Sequence, residues 1–318
     1  LERFAVDVHP ESEVLITVGA SEGIDLAIRA ITNPGDEILV VKPCFVAYEA
    51  IIRMAGGIPV SIQTTSETDF TLTPQHIREK VTAKTKAIIF SFPNNPTGAT
   101  MSRKQFNEIA KVVRELDLLV ISDEIYAEMN YSGHPVSFAS LPSMKERTLI
   151  LSGFSKAFAM TGWRVGYAAG PQDLIQAMTK IHQYTMMCVS ITAQMAAVEA
   201  LKNGFDEMRR MVESYHQRRN YITRSLRAIG LQTHEPQGAF YAFPNIEVTG
   251  LSAAAFAEKL LLEEKVAVVP GHVFGESGKG HVRCSYATSI EKLREAMTRI
   301  ARFVDRQQQE QSGRSNLG

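Results

Sequence analysis

The sequence has no apolar run approaching the roughly 20 residues that a bilayer-spanning helix needs. Its opening, Leu1-Glu2-Arg3-Phe4, lacks the layout of a secretory signal. Neither sign of charge is in surplus: lysine plus arginine number 34, and so do aspartate plus glutamate. A chain without a single-sign field has nothing to draw it to nucleic acid or to an anionic membrane, and neither is expected as a partner. Cysteine is scarce. Cys44, Cys188 and Cys284 are odd in number, widely spaced and set among apolar residues. They form no CxxC or Cys/His pattern, so they read as reduced core residues of a cytoplasmic protein with no bound metal. Neither GxGxxG nor GxxxxGK followed by a hydroxyl residue occurs, so the dinucleotide and P-loop sites lack direct support. Internal repeats and low-complexity segments are also missing.

What is present is an alternation of strands and helices in a chain long enough, at 318 residues, for one large and one smaller core. Val14 to Val18 is β-rich, and an apolar helical pattern begins at Ile24. Between them, Gly19-Ala20-Ser21-Glu22-Gly23 is either an anion-holding helix start or an ordinary helix with Ser21 as N-cap. Strands follow at 37–41, 58–63, 86–92, 118–122 and 148–151, with helices at 45–55, 74–81 and 103–116. This rhythm predicts an α/β fold, a mostly parallel sheet covered by helices on both faces. In such sheets ligands sit at the carboxyl ends of the strands. The polar punctuation falls there: Ser21, Asn94-Asn95-Pro96-Thr97-Gly98, Asp123-Glu124-Ile125-Tyr126 and Ser155-Lys156. Residues 171–200 read as one helical stretch whose methionines (Met178, Met186, Met187, Met195) are core filler. A long amphipathic helix at 205–229 bridges to a smaller α+β unit with strands at 237–243, 266–269 and 281–287. The tail from Gln307 to Gly318 reads as frayed.

The stretch from Ser152 to Tyr167 sets Lys156 after an apolar strand, with Phe154, Phe158 and the single tryptophan, Trp163, around it. A nucleophilic lysine must be partly desolvated or lie near other cations, and Arg164 follows eight residues on. Arg283 lies between Val282 and Cys284 on a predicted strand, where an unpaired charge is costly.

Four motifs in this order carry a resemblance: Asn95-Pro96-Thr97-Gly98, Ser122-Asp123-Glu124-Ile125-Tyr126, Gly153-Phe154-Ser155-Lys156 with Met160-Thr161-Gly162-Trp163-Arg164, and Val282-Arg283-Cys284-Ser285-Tyr286-Ala287. Together they resemble the fold-type I pyridoxal-phosphate enzymes, specifically class I/II aminotransferases of the aspartate and aromatic branch, from about Val14 to Val304. The resemblance implies a seven-stranded-type sheet in a large cofactor-binding domain at 1–207. A bridging helix and small C-terminal domain at 208–318 would follow.

It also implies a homodimer acting on amino acids and 2-oxo acids, with pyridoxal 5′-phosphate as cofactor. Lys156 would hold the cofactor covalently and move a proton, and Asp123 would keep the pyridine nitrogen protonated. Tyr126 and Asn95 would bond the ring's phenolic oxygen, and Phe45 would stack on the ring. Ala20, Ser21, Ser155 and Arg164 would hold the phosphate, and Arg283, beside Asn95, the substrate α-carboxylate.

Two departures stand out. Many relatives have a serine where this chain has Gly153, which leaves Ser152 or Ser155 to replace it. Relatives also carry an N-terminal gating segment and a tyrosine that reaches the partner's cofactor; nothing in residues 1–14 supplies these, so a missing N-terminal segment is expected. Detail around residues 19–25, 182–184 and 203–206 is similar to bacterial aminotransferases for aromatic amino acids or N-acetyl-diaminopimelate. The competing expectations are a carbon–sulfur β-lyase with the same cofactor and a non-catalytic regulatory domain. The helix-turn-helix and basic face of the latter are missing here.

Overall fold

The computed structural model describes residues 1–131, 133 and 135–315. The first part of the chain runs β1 (Val14–Thr17), α1 (Gly19–Ile31), β2 (Glu37–Lys42), α2 (Ala47–Met54) and β3 (Ile58–Gln63). It continues with α3 (Pro74–Arg78), β4 (Thr85–Ser91), α4 (Arg103–Glu115), β5 (Leu119–Asp123) and β6 (Thr148–Gly153). The short α5 (Phe154–Ala157), β7 (Gly166–Ala169), α6 (Gln172–Thr185), α7 (Ile191–Asn203) and the long α8 (Phe205–Ala228) come next. Last are β8 (Tyr241–Ala242), α9 (Ala253–Glu264), β9 (Val269–Pro270), β10 (Val282–Ser285) and α10 (Ile290–Ser315).

Strands β1 to β7 form a seven-stranded sheet in the order β1-β7-β6-β5-β4-β2-β3. The pairs from β3 to β6 are parallel, and β7 is antiparallel to both of its neighbours, β6 and β1. The central strands are apolar on both faces because helices cover both. Ile38, Val40, Ala87 and Ile89 point into one core and Leu39, Val41, Ile88 and Phe90 into the other, as the two-residue period of a strand requires. A smaller three-stranded antiparallel sheet, β8-β10-β9, shares a third core with α8, α9 and α10. Among the described residues no helix is long and apolar enough to cross a membrane.

Several expectations fail in detail. Helix α1 starts at Gly19 instead of Ile24, so Ala20 and Ser21 lie in its first turn; the N-cap is Val18, without a side-chain cap bond. The 171–200 stretch breaks in two around Met187, which sits at φ 64°, and the amides of Met186 and Met187 both turn back to the His182 carbonyl. Of its methionines only Met178 is core; Met187 is 80% and Met195 61% exposed. Cys188, expected in the core, is exposed. The tail is helical to Ser315. Arg302 and Arg306 pair with Glu264 of α9, and Gln307 is buried where it accepts from Lys259, so tertiary contacts order what composition alone marks as frayed. Residues 316–318 lie outside the described residues.

Candidate active site

The carboxyl ends of the strands surround a cavity of about 240 Å³ between the two sheets. Ala20, Ser21, Phe45, Asn95, Asp123, Tyr126, Ser155, Lys156, Arg164 and Arg283, the ten residues singled out by sequence, all line it. They are spread over more than 260 positions; the residues after the parallel strands meet because those strands present their ends on one edge, and Arg283 is brought to that edge by β10 of the small sheet.

Asp123 ends β5 and is buried. Its Oδ2 accepts from the Tyr48 hydroxyl at 2.5 Å and its Oδ1 from the Ile125 amide at 3.2 Å. Burial pushes the carboxyl's pKa up, while the Tyr48 bond, the Ile125 bond and the charge of Lys156 pull it back. It caps no helix, since turns follow β5. Lys156, half-buried on α5, has its ammonium pKa pushed down, first by desolvation and then by Arg164 and Arg283; Asp123 opposes the shift. That is the environment a nucleophilic amine needs. The rings near its Nζ are Tyr126 (5.9 Å) and Phe240 (5.8 Å). Phe154 and Phe158 pack instead into a separate cluster, and Trp163 is 51% exposed. The sequence-based placement of those three around the amine is therefore corrected.

Arg164 adopts a left-handed φ of 53°, and its Nη1 donates to the Thr161 carbonyl at 3.1 Å. Its guanidinium lies against Gly19, where a Cβ would come within 2.5 Å of Nη2; Gly19 itself has φ +72°. A side chain there would fill the cradle, so glycine is required. The first turn of α1 and Ser155 complete the concavity, a donor set suited to a phosphate. Ser152 faces away: its hydroxyl donates to the Glu124 carbonyl at 3.2 Å, so of the two serines only Ser155 reaches the cavity.

Arg283 donates from Nη1 to Asn95 Oδ1 at 2.8 Å, and its Nε is buried without a partner. The guanidinium carbon sits 4.5 Å from the Tyr241 ring centre and 4.9 Å from that of Phe274. Those rings let a cation stay in a half-buried place. Gly98, at φ +71°, completes the turn after Asn95, and its carbonyl accepts the amides of Gln237 and Gly238, docking the second unit onto the first. Asn95 and Arg283 thus form one of the bonds that close the cavity.

Sequence reasoning missed Tyr48, Tyr241 and Thr161, all of which line the cavity. Tyr48 lies three residues after Phe45 and could have been found as an aromatic beside a singled-out one. Tyr241 lies inside the strand expected at 237–243, of which only Tyr241–Ala242 forms as β8, and nothing in that stretch marks it as facing the cavity.

The buried carboxylate, the low-pKa lysine, the glycine cradle and the partnerless Arg283 Nε fit a phosphorylated aldehyde cofactor and an amino acid substrate. The family model of the class I and II aminotransferases matches residues 2–300. The chain belongs to that family, is an aminotransferase, and uses pyridoxal 5′-phosphate to move an amino group between an amino acid and a 2-oxo acid. It is 55% identical over 302 residues to the Bacillus subtilis protein YugH, covering 95% of this chain and 78% of that one. It is 42% identical over 305 residues to aromatic-amino-acid aminotransferase 2 of Thermococcus litoralis, covering 94% and 78%. The crystal structure of an aromatic aminotransferase from Pyrococcus horikoshii superposes with a TM-score of 0.94 at 42% identity, covering 96% of this chain and 82% of that one.

Proposed function

We propose that the chain transaminates aromatic L-amino acids by a ping-pong cycle run from the cavity around Lys156. The observation that carries this reading is that Lys156, Asp123 and Arg283 face one cavity, where desolvation and then Arg164 and Arg283 push the lysine's ammonium pKa down. When bound, pyridoxal 5′-phosphate supplies an aldehyde carbon that amines attack and a ring that draws electrons from the substrate α-carbon. Lys156 would be the amine that holds the aldehyde carbon and, once displaced by substrate, the base that would carry the proton from the substrate α-carbon to that former aldehyde carbon. The carboxylate of Asp123 would keep a proton on the pyridine nitrogen, its direction set by the Tyr48 bond. The first turn of α1, Ser155 and Arg164 would hold the phosphate, and Phe45 would lie against the ring. Asn95 and Tyr126 would donate to the ring oxygen. Arg283 would take the substrate α-carboxylate with its forked donors.

The aromatic preference is supported by what surrounds Arg283. Tyr241 and Phe274 flank it, and the basic residues among those lining the cavity, Lys156, Arg164 and Arg283, already have roles. A second carboxylate, as in aspartate, has no cation left to it among those residues.

We also infer a division near residue 207 into a cofactor-binding domain and a small domain, a cytoplasmic location, and a homodimer. The dimer is supported by an apolar stripe on α7. Ile191, Met195 and Val198, spaced four and three apart, share one helix face and are 69%, 61% and 42% exposed.

A donor panel tests the activity. The holoenzyme is mixed with phenylalanine, tyrosine, aspartate and cystathionine, and the visible band and the products are followed. Bleaching by phenylalanine that 2-oxoglutarate reverses supports the proposal. Aspartate turning over faster overturns the substrate choice, and pyruvate with ammonia from cystathionine moves the chain to the β-lyases.

A further inference from the structure

We propose that Tyr241 is a positioning residue for Tyr126: its hydroxyl donates to the Tyr126 oxygen and leaves the Tyr126 proton free for an acceptor inside the cavity. The two hydroxyls are 2.8 Å apart and buried, and they come from different parts of the fold. Tyr126 follows β5 in the large sheet, whereas Tyr241 lies in β8 of the small one.

Two phenols carry two protons, and one of these makes the bond between them. A single proton is left to point outward. The more acidic phenol is the better donor within the pair, and the place of Arg283 over the Tyr241 ring favours Tyr241. Its guanidinium carbon lies 4.5 Å from the Tyr241 ring centre, where a cation stabilises charge building on that phenol's oxygen. Burial raises both phenols and Arg283 opposes it at both; the bond with Tyr126 holds Tyr241 back further, while Tyr241 and then Asp123 push Tyr126 well above the ordinary tyrosine range.

The direction of the bond matters to Lys156, whose Nζ lies 5.9 Å from the Tyr126 ring centre. This part rests on the reading above, in which Tyr126 faces the ring oxygen of the cofactor. A phenol that receives a hydrogen bond is a stronger donor, because the chain of bonds polarises in one direction. A stronger donor at the ring oxygen stabilises the form with one proton fewer, so it lowers the pH at which the group held by Lys156 loses its proton.

The test is a double-mutant cycle on the holoenzyme with Tyr241→Phe, Tyr126→Phe and the double variant. Phenylalanine at 241 keeps the ring beside Arg283 and removes only the hydroxyl. The readout is the pH midpoint of the cofactor's visible band, taken alongside kcat and KM for the amino donor. For Tyr241→Phe we expect the midpoint to rise by about half a pH unit, on the order of one hydrogen bond's net strength. We also expect kcat at neutral pH to fall several-fold, with KM for the amino donor within about twofold. Tyr126→Phe should move the midpoint the same way and further. In the Tyr126→Phe background, removing the second hydroxyl should change nothing more. An unmoved midpoint in Tyr241→Phe overturns the proposal, and so does an equal shift in both backgrounds, since Tyr241 would then act without Tyr126. If Tyr126→Phe alone leaves the midpoint in place, the contact between Tyr126 and the ring oxygen fails and the proposal falls with it. A wild-type protein with no visible band defeats the cofactor reading itself. A thermal midpoint of the cofactor-free Tyr241→Phe protein matching wild type separates positioning from damage to the fold; a large drop, with the midpoint of the band unmoved, assigns Tyr241 to structure alone.

Discussion

Tyr48 and Asp123 are joined by a 2.5 Å hydrogen bond that ties helix α2 to the end of strand β5, with both side chains buried. The phenol donates and the carboxylate accepts, which steadies an anion that burial would otherwise neutralise. Replacing Tyr48 by phenylalanine leaves Oδ2 enclosed without its donor. The cost is about 1–3 kcal/mol of stability in the cofactor-free protein, measured by urea unfolding. Cofactor affinity should fall as well, because the carboxylate loses its fixed direction. Unchanged unfolding and unchanged affinity together would show that the bond does nothing.

Glu124, next in sequence, gives a pH signature of its own. It is buried, and desolvation raises its pKa from 4.5 to about 7 against the bonds donated by Ser122, Ser137 and the Phe138 amide. A carboxyl with a raised folded-state pKa contributes stability below its unfolded value, and the contribution is lost as pH rises through the folded one. From pH 4.5 to 7 the Glu124 contribution should therefore decline by about 3 kcal/mol. Glu124→Gln keeps an acceptor oxygen for the three donors and removes the titration. Urea midpoints at pH 5 and pH 7 should differ less in the variant than in the wild type.

Gly19 holds the phosphate cradle open. Its φ of +72° and the 2.5 Å approach of Arg164 Nη2 leave no room for a Cβ. Gly19→Val should displace the Arg164 guanidinium and weaken pyridoxal 5′-phosphate binding by about tenfold or more, as the loss of a charge-assisted bond implies. Affinity for pyridoxal without its phosphate should change far less, and equilibrium dialysis with both vitamers checks the contrast. Equal losses for the two would place the damage elsewhere.

Arg283→Lys tests the carboxylate clamp. Lysine keeps the charge but loses the fork and the stacking between Tyr241 and Phe274. The KM for the amino donor should rise about 10- to 100-fold, the scale of one charged hydrogen bond, while cofactor affinity holds. Substrate-saturation kinetics decide it; a KM within twofold of wild type would remove Arg283 from substrate binding.

The strands were legible because their alternate residues feed two cores: β2 is apolar at every position from Ile38 to Val41, a pattern that needs cover on both faces. The polar residues after those strands were legible as one group for the same reason, since parallel strands end on a common edge. Helix α10 was not legible at its end. Its polar tail follows a turn, residues 302–307, that is held by Glu264 and Lys259, which lie about forty residues earlier in the chain.

The aromatic surroundings of Lys156 were misread because proximity along the chain was taken for proximity in space. Phe154 opens the short helix and Phe158 caps it, yet both pack away from the amine, while Phe240 arrives from the turn just before β8.

The sequence by itself determined the fold class through local patterns, and its motifs carried the resemblance that implied the cofactor chemistry and the ten residues that line the cavity. Tertiary structure alone decided which groups touch. Tyr48 reaches Asp123 and Tyr241 reaches Tyr126 from 75 and 115 positions away. The physical reason is that a hydrogen bond is specified by distance and angle, and those are fixed only when two independently folded surfaces pack together.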